Sequence, residues 1–374
     1  MKKILIIFGT RPEAIKMAPI ILALKKEKNI SSKVCITAQH RSMLDSVLEI
    51  FKIKADFDLD IMKDSQDLFS ISTNALLGLK SVIESYKPNL ILVHGDTSTT
   101  FIGALSGFYN KIAVAHIEAG LRTNDKYSPF PEEINRQLTT KLSTYHFAPT
   151  QLAYENLLKD GISKKYIKIV GNSVIDSLKL MQETIKKDKA IKKKILSKLS
   201  LPMDKKFILV TAHRRESFGK DIKNIALALK AIALKSSDIN IFYPLHLNPN
   251  IQKPMKAILG EIENIFLISP LDYECFVYLM SESYLILTDS GGIQEEATAL
   301  FKPTLIMRNK TERKEALECK TLKLVGTSKE KIVKESLKLL NSKKAYQIMS
   351  NPKNPLPYGD GNTAKKIINF IKKI

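Results

Sequence analysis

The sequence predicts an α/β protein of two doubly wound domains, and three observations predict it. Apolar runs of strand length alternate with longer amphipathic segments from one end of the chain to the other. The runs are unbroken, as in parallel strands buried on both faces. The whole pattern starts again after a Lys-rich stretch in the middle of the chain. At 374 residues, 44% of them hydrophobic, the chain is long enough to fill two cores.

In the first half KILIIF precedes a helical segment from about Pro12, KVCITA a second, NLILVH a third, and KIAVAHI a loop and a fourth. In the second half KFILVTA, NIFYPL, NIFLIS and YLILTDS each lead into a helical segment, and NTAKKIINFIKKI closes the chain as a helix. This places an N-terminal α/β domain over 1–170 and a C-terminal nucleotide-binding domain over 171–360, with the helix at about 361–374 packing back on the first. Ligands of open α/β sheets gather at the carboxyl ends of the strands. The expected site is therefore a cleft where the carboxyl ends of the two sheets face each other.

The charge of +21 would suit nucleic acid if it were concentrated, but it is spread out. The densest run, KKDKAIKKKILSK at 186–198, has neither Arg nor aromatic residues to stack on bases, and reads as a solvated face. Cys35, Cys275 and Cys319 are far apart and form no CxxC, which fits a reducing cytoplasm and indicates neither a disulfide framework nor a zinc cluster. The start MKKILIIFGTRPE reads as a first strand, not a signal peptide. No apolar run approaches the ~20 residues of a membrane span. Neither nucleic acid nor a membrane is an expected partner.

FGTRPE, HGDTSTT, HIEAGLR, TAHRRE and TDSGGIQEE all follow a strand. In the last of these Ser290 can cap a helix, while Gly291 and Gly292 let backbone N–H groups approach a phosphate at its positive end. Glu295 and Glu296, read as lying on the first turn, could accept from ribose hydroxyls; a plain glycine turn is the competing reading. Neither GxGxxG nor a P-loop motif is present. Only eight of the 59 basic residues are Arg, so Arg11, Arg214, Arg215, Arg308 and Arg313 stand out as bidentate phosphate ligands, with Lys16 and His213 beside them.

The stretch AHIEAGLRTNDKYSPFPEEINR at 115–136 crowds acids, prolines and two arginines into one segment. Three readings of it and of His94-Gly95-Asp96 are open. His94, Asp96, His116 and Glu118 could form a metal site, although their spacing matches no familiar set. The histidines could be buried and satisfied by backbone, which His116 fits best. Or Asp96, Glu118 and Glu132 could form a proton-transfer set, with Arg136 one turn beyond Glu132.

With these residues in place, the chain resembles the non-hydrolysing UDP-N-acetylglucosamine 2-epimerases. The resemblance runs from FGTRPEAIKMAP through TAQHR, HGDTSTTF, HIEAGLRT, YSPFPEEINRQLT, TAHRRESFG, YPLHLNPN, LTDSGGIQEEA and TERKEA to YGDGNTA. It implies two Rossmann-like domains in the GT-B-like architecture of many glycosyltransferases, a UDP-sugar substrate, no metal, no other cofactor, a homodimer, and a role in polysaccharide biosynthesis. By motif, Asp96, Glu118, Glu132 and His213 match catalytic positions. Arg11, Arg136, Ser290, Gly291, Glu296 and Arg313 match substrate contacts. Gln39, Gln66, Arg214 and His246 match a second, activating UDP-GlcNAc site, in which Ser65 stands where an Arg is sometimes found. EEATALFKP and TERKEALECKT depart from the family's EEAPSLGKP and TERPEAVEAGT, with Arg313 kept.

The implied chemistry explains why acids should sit beside a phosphate site. The C2 proton of an N-acetylhexosamine is not next to a carbonyl carbon, so UDP must leave before a carboxylate can remove it, giving a 2-acetamidoglucal. Inversion then needs proton transfer on two faces. A glycosyltransferase of the same architecture, a hydrolysing epimerase that releases ManNAc and UDP, and a non-catalytic UDP-sugar sensor are the alternatives.

Overall fold

Strand β1 (Lys2–Phe8) has every side chain from Ile4 to Phe8 fully buried, the result expected of an apolar run covered on both faces. The computed structural model describes residues 1–38, 41–62, 67–214, 218–311, 313–351 and 356–374. They fall into two compact units, Met1–Lys179 with Tyr358–Ile374, and Leu180–Pro357.

The first unit adds β2 (Ile30–Ile36), β3 (Phe57–Asp58), β4 (Leu90–His94), β5 (Ala113–Ile117), β6 (Tyr145–Ala148) and β7 (Ile167–Ile169). They form one parallel sheet in the order β3-β2-β1-β4-β5-β6-β7. The second unit holds β8 (Lys206–Thr211), β9 (Ile239–Pro244), β10 (Ile265–Ile268), β11 (Leu285–Thr288), β12 (Thr304–Ile306) and β13 (Leu322–Leu324). Its parallel order is β10-β9-β8-β11-β12-β13. Both sheets are doubly wound. In each, the chain adds strands outward on one side and then returns to the middle, so the winding reverses between β1 and β4 and between β8 and β11.

The eight long apolar runs became β1, β2, β4, β5, β8, β9, β10 and β11. Five further strands, β3, β6, β7, β12 and β13, are two to four residues long and were not expected. Apart from β6 they are two or three residues long, too few to show a run of their own, and parallel pairing with a neighbour is what makes them strands.

Local signals set several helix starts. The Thr97 hydroxyl accepts from the Thr100 amide at the head of helix Ser98–Tyr109, and Thr150 does the same for Ala153. The Lys-rich stretch is two helices, Ser173–Lys187 and Lys189–Leu199, separated by Asp188, whose carboxylate accepts from Ala190 and Ile191. Its lysines are exposed, as a solvated face requires.

The terminal helix Thr363–Ile371 belongs to the first unit. Ile367, Ile368 and Ile371 are buried, and Phe370 meets Phe147 edge-on with ring centroids 5.4 Å apart. The first-turn amides of that helix are held from another helix: Asp176 accepts from Thr363 at 3.2 Å and Ala364 at 2.8 Å.

Gly9, just past β1, is required by space. A Cβ there would lie 2.1 Å from Thr37 Oγ1 and 2.5 Å from Thr99 Oγ1, two hydroxyls that hydrogen-bond each other at 2.8 Å. Gly9→Ala is therefore expected to destabilise the protein by about 1–3 kcal/mol, read as a lowered denaturant midpoint at unchanged m-value.

His94, His116 and His146 lie buried on three neighbouring strands. Burial pushes their pKa values down from 6.5 to about 4, about 3 and about 4. Below pH 6.5 the unfolded chain binds protons that the folded chain refuses, so their contribution to stability is complete above 6.5 and is lost as pH falls towards 4. The melting temperature should drop between pH 7 and pH 5 while NMR shows all three imidazoles still neutral; imidazolium signals in the folded protein at pH 5 would contradict this.

Candidate functional site

In both units the sequence motifs fall on loops next to the point where the winding reverses. FGTRPE and HGDTSTT follow β1 and β4, TAHRRE and DSGG follow β8 and β11, and HIEAGLR follows β5. An open parallel sheet leaves a crevice at that point, outside the carboxyl ends of its strands.

In the first unit, Gly95 N donates to Ile117 O at 2.9 Å, extending the β4–β5 pairing by one residue, and Asp96 and Glu118 follow the ends of these two strands. Glu118 has φ +62, a left-handed conformation that costs a residue with a Cβ roughly 1–2 kcal/mol. Its carboxylate is nevertheless tightly held. Lys16 Nζ lies 2.5 Å and Asn172 Nδ2 2.7 Å from Glu118 Oε2, and the Glu118 side chain is only 8% exposed. Lys16, a candidate diphosphate ligand by sequence, is here paired with an acid. His94 Nε2 is 3.8 Å from the same oxygen. His116 Nε2 is bonded to Gly95 O at 2.7 Å, the backbone-satisfied role that fits it best.

Asp96 is held by Arg136, which hydrogen-bonds Asp96 Oδ2 through Nη2 and Glu133 Oε2 through Nη1 at 3.1 Å. Glu133 is fully buried and also accepts from the amides of Thr123 and Asn124 and from Gln137. It fastens the loop after Glu118 to helix Glu132–Leu142 and aims Arg136. Glu132 opens that helix, following Pro129 and Pro131, each preceded by a cis peptide bond. Its Oε2 is buried and without a hydrogen-bond partner among the described residues. Arg122 turns away to Asp160 (2.6 and 3.0 Å) and Thr140, so the arginine at that end is a structural clamp.

Glu13 carries a role the motif reading missed. Buried in the first turn of the helix after β1, it accepts from Gly9 N, Thr10 N and Thr10 Oγ1 through one oxygen, and from Thr97 and Thr100 hydroxyls through the other, at 2.7–3.0 Å. Burial outweighs these bonds and raises its pKa. Thr10-x-x-Glu13 is a capping-box signature, which could have flagged it. Arg11 begins the helix Arg11–Leu24 beside it.

In the second unit, Asp289 is fully buried, and its Oδ2 accepts from the backbone amides of His213 (2.7 Å) and Arg214 (2.8 Å). His213 Nδ1 lies 3.5 Å from Asp289 Oδ1, and burial pushes its pKa down against the pull of that carboxylate. Its ring stacks on His246 with centroids 5.7 Å apart. Helix Gly291–Ala299 starts as the glycine motif requires. Ser290 stands at its N-cap position but makes no side-chain cap bond there, so the first-turn amides are left to another acceptor. Glu295 and Glu296 are not on the first turn, because the helix begins at Gly291 and they fall one turn later. Glu295 accepts from Arg313 Nε at 2.8 Å, while Glu296 lies 3.4 Å from the Tyr273 hydroxyl. Gly292 is open: nothing lies within 4 Å of an added Cβ.

Gln39 and Gln66, expected at the second nucleotide site, lie outside the described residues, as do Ser65 and Arg215. Among the described residues, the His, Cys, Asp and Glu side chains that bring three or more ligand atoms within 4.8 Å of one another are Asp272, Glu274 and Cys275. Lys198 bonds Asp272, and Lys194 lies 3.6 Å from Glu274, so lysines already balance that charge. No helix among the described residues is long and apolar enough to cross a membrane.

This arrangement has relatives. A protein from Campylobacter jejuni named UDP-N-acetylglucosamine 2-epimerase is 53% identical, the match covering all of this chain and 98% of that protein. The solved structure of UDP-GlcNAc 2-epimerase from Neisseria meningitidis bound to UDP-GlcNAc has 50% identity and a TM-score of 0.92, covering all of both chains. A Methanocaldococcus jannaschii enzyme in complex with UDP-GlcNAc and UDP follows at 35% identity and a TM-score of 0.81. The family model for UDP-N-acetylglucosamine 2-epimerase matches residues 22–372, and with half of the residues shared along the full length, the chain belongs to that family.

Proposed function

We propose that this chain interconverts UDP-N-acetylglucosamine and UDP-N-acetylmannosamine by eliminating UDP to a 2-acetamidoglucal and adding it back. The observation that carries this reading is the pair of acids at the ends of β4 and β5, Asp96 and Glu118, each already matched to a cation, Arg136 and Lys16. In the first half-reaction the C1–O bond breaks, UDP leaves with the electron pair, and the C2 proton passes to a carboxylate. In the second, a proton returns to the opposite face of C2 as a UDP oxygen bonds to C1. The catalytic positions are Asp96, Glu118, Glu132 and His213, the three acids being the candidates for proton transfer at C2. Arg11, Lys16, Arg136, Ser290, Gly291, Gly292, Glu296 and Arg313 bind substrate and stabilise the departing diphosphate, the helix N-terminus at Gly291 supplying amide donors. Arg214 and His246 serve a second, activating UDP-GlcNAc. The active form in this reading is a cytoplasmic homodimer that needs no metal.

Incubating the protein with UDP-GlcNAc in D2O and following it by NMR tests the reaction. Deuterium must appear at C2 of the epimerised sugar. Asp96→Asn, Glu118→Gln and Glu132→Gln should each lower kcat about 10²–10⁴-fold, and at least one should release glycal and UDP. A product carrying only protium at C2 would overturn the elimination route. Transfer to an added acceptor, or release of free ManNAc, would favour the transferase or hydrolysing reading.

Arg313→Lys keeps the charge but replaces a planar fork by a point donor. Losing one charge-assisted bond is worth ~1.5–3 kcal/mol, so kcat/KM should fall by about one to two decades; unchanged kinetics would remove Arg313 from the site.

A further inference from the structure

Asn172 is almost fully buried, and each of its polar groups is committed. Its backbone N–H donates to Tyr358 O at 2.8 Å, in the segment that returns to the first unit ahead of the terminal helix. Gly171 beside it has φ +95, and a Cβ there would lie 2.9 Å from both Tyr358 O and Thr363 Oγ1, so the return segment is pressed against this turn. The side-chain oxygen accepts from Val174 N at 3.0 Å, at the head of helix Ser173–Lys187. That bond decides which way the amide faces. A flipped amide would set a donor against the Val174 N–H and an oxygen against the Glu118 carboxylate. Nδ2–H is therefore aimed at Glu118 Oε2, 2.7 Å away.

We infer that Asn172 is a positioning residue for the epimerisation, holding the Glu118 carboxylate in place through this bond and tying it to the Tyr358 return segment. The inference rests on Glu118 acting in the reaction proposed above. Glu118 is the acid that needs such support, because it leaves β5 in a left-handed conformation and has to be held by its surroundings. Lys16 and Asn172 approach the same oxygen, and His94 Nε2 lies 3.8 Å from it. The other oxygen lies towards Gly95, 3.9 Å from where a Cβ would stand.

Asn172→Asp separates this role from a merely structural one. Aspartate keeps the oxygen that receives Val174 N–H but loses the amide donor and sets a second carboxylate against Glu118. Melting is expected to fall, so kinetics are read at a temperature where the variant is folded; there kcat should fall about 10–100-fold with KM within about threefold, and the acid limb of the kcat profile should move up. Should that variant fail to fold, Asn172→Ser, which also retains a capping oxygen but is too short to reach Glu118, is read in the same way. Glu118→Gln is assayed alongside. If it keeps wild-type turnover, the role of Glu118 itself is wrong. If it is inactive while the Asn172 variants keep the wild-type kcat and acid limb, the positioning role of Asn172 is wrong.

Discussion

The Glu13 carboxylate, buried where the winding of the first sheet reverses, is the interaction on which the acid cluster depends. A buried carboxylate is tolerated only when donors surround it, and five do, drawn from the turn after β1 and the turn after β4. Those turns lead directly to Lys16 on one side and Asp96 on the other. Gly9 allows the close approach, and the Thr37–Thr99 hydroxyl pair fills the space a side chain would have taken.

The second unit repeats the device with different residues. Asp289, in the turn after β11, accepts from the backbone of His213 and Arg214 in the turn after β8, and the Thr211 and Thr288 hydroxyls meet at 2.7 Å beneath it. In both units one buried acid links the loops of two adjacent central strands. Parallel strands place their turns side by side but leave the turn amides without a ladder to join, and a carboxylate with several lone pairs satisfies them at once.

The arginines show how few charges this basic chain leaves to chance. Lysine covers its exposed faces, whereas Arg136 forks between Asp96 and Glu133, Arg122 clamps Asp160, and Arg313 holds Glu295. Each guanidinium is largely buried against a carboxylate, where a planar, permanently charged group fixes a direction that an ammonium would not. Asp96 and Glu133 are given fixed orientations in this way.

The central strands, the restart of the pattern at the second unit, the strand-end motifs and the glycine turn at Gly291 were determined by the sequence alone, because an unbroken apolar run or a glycine pair expresses its physics locally. Family motifs singled out Asp96, Glu118 and Arg136, whose ion-pair partners only the fold supplies. Tertiary structure decided the rest. It made strands of β3, β6, β7, β12 and β13, which, β6 apart, are too short to stand out without neighbours. It turned Lys16 onto Glu118, moved Glu295 and Glu296 one turn along their helix, and gave Glu13, Glu133, Asp289 and Asn172 their partners. The partners of Glu118 lie 54 and 102 positions away in the chain. No local pattern encodes such pairings, because they exist only once the parallel sheet has brought its strand ends together.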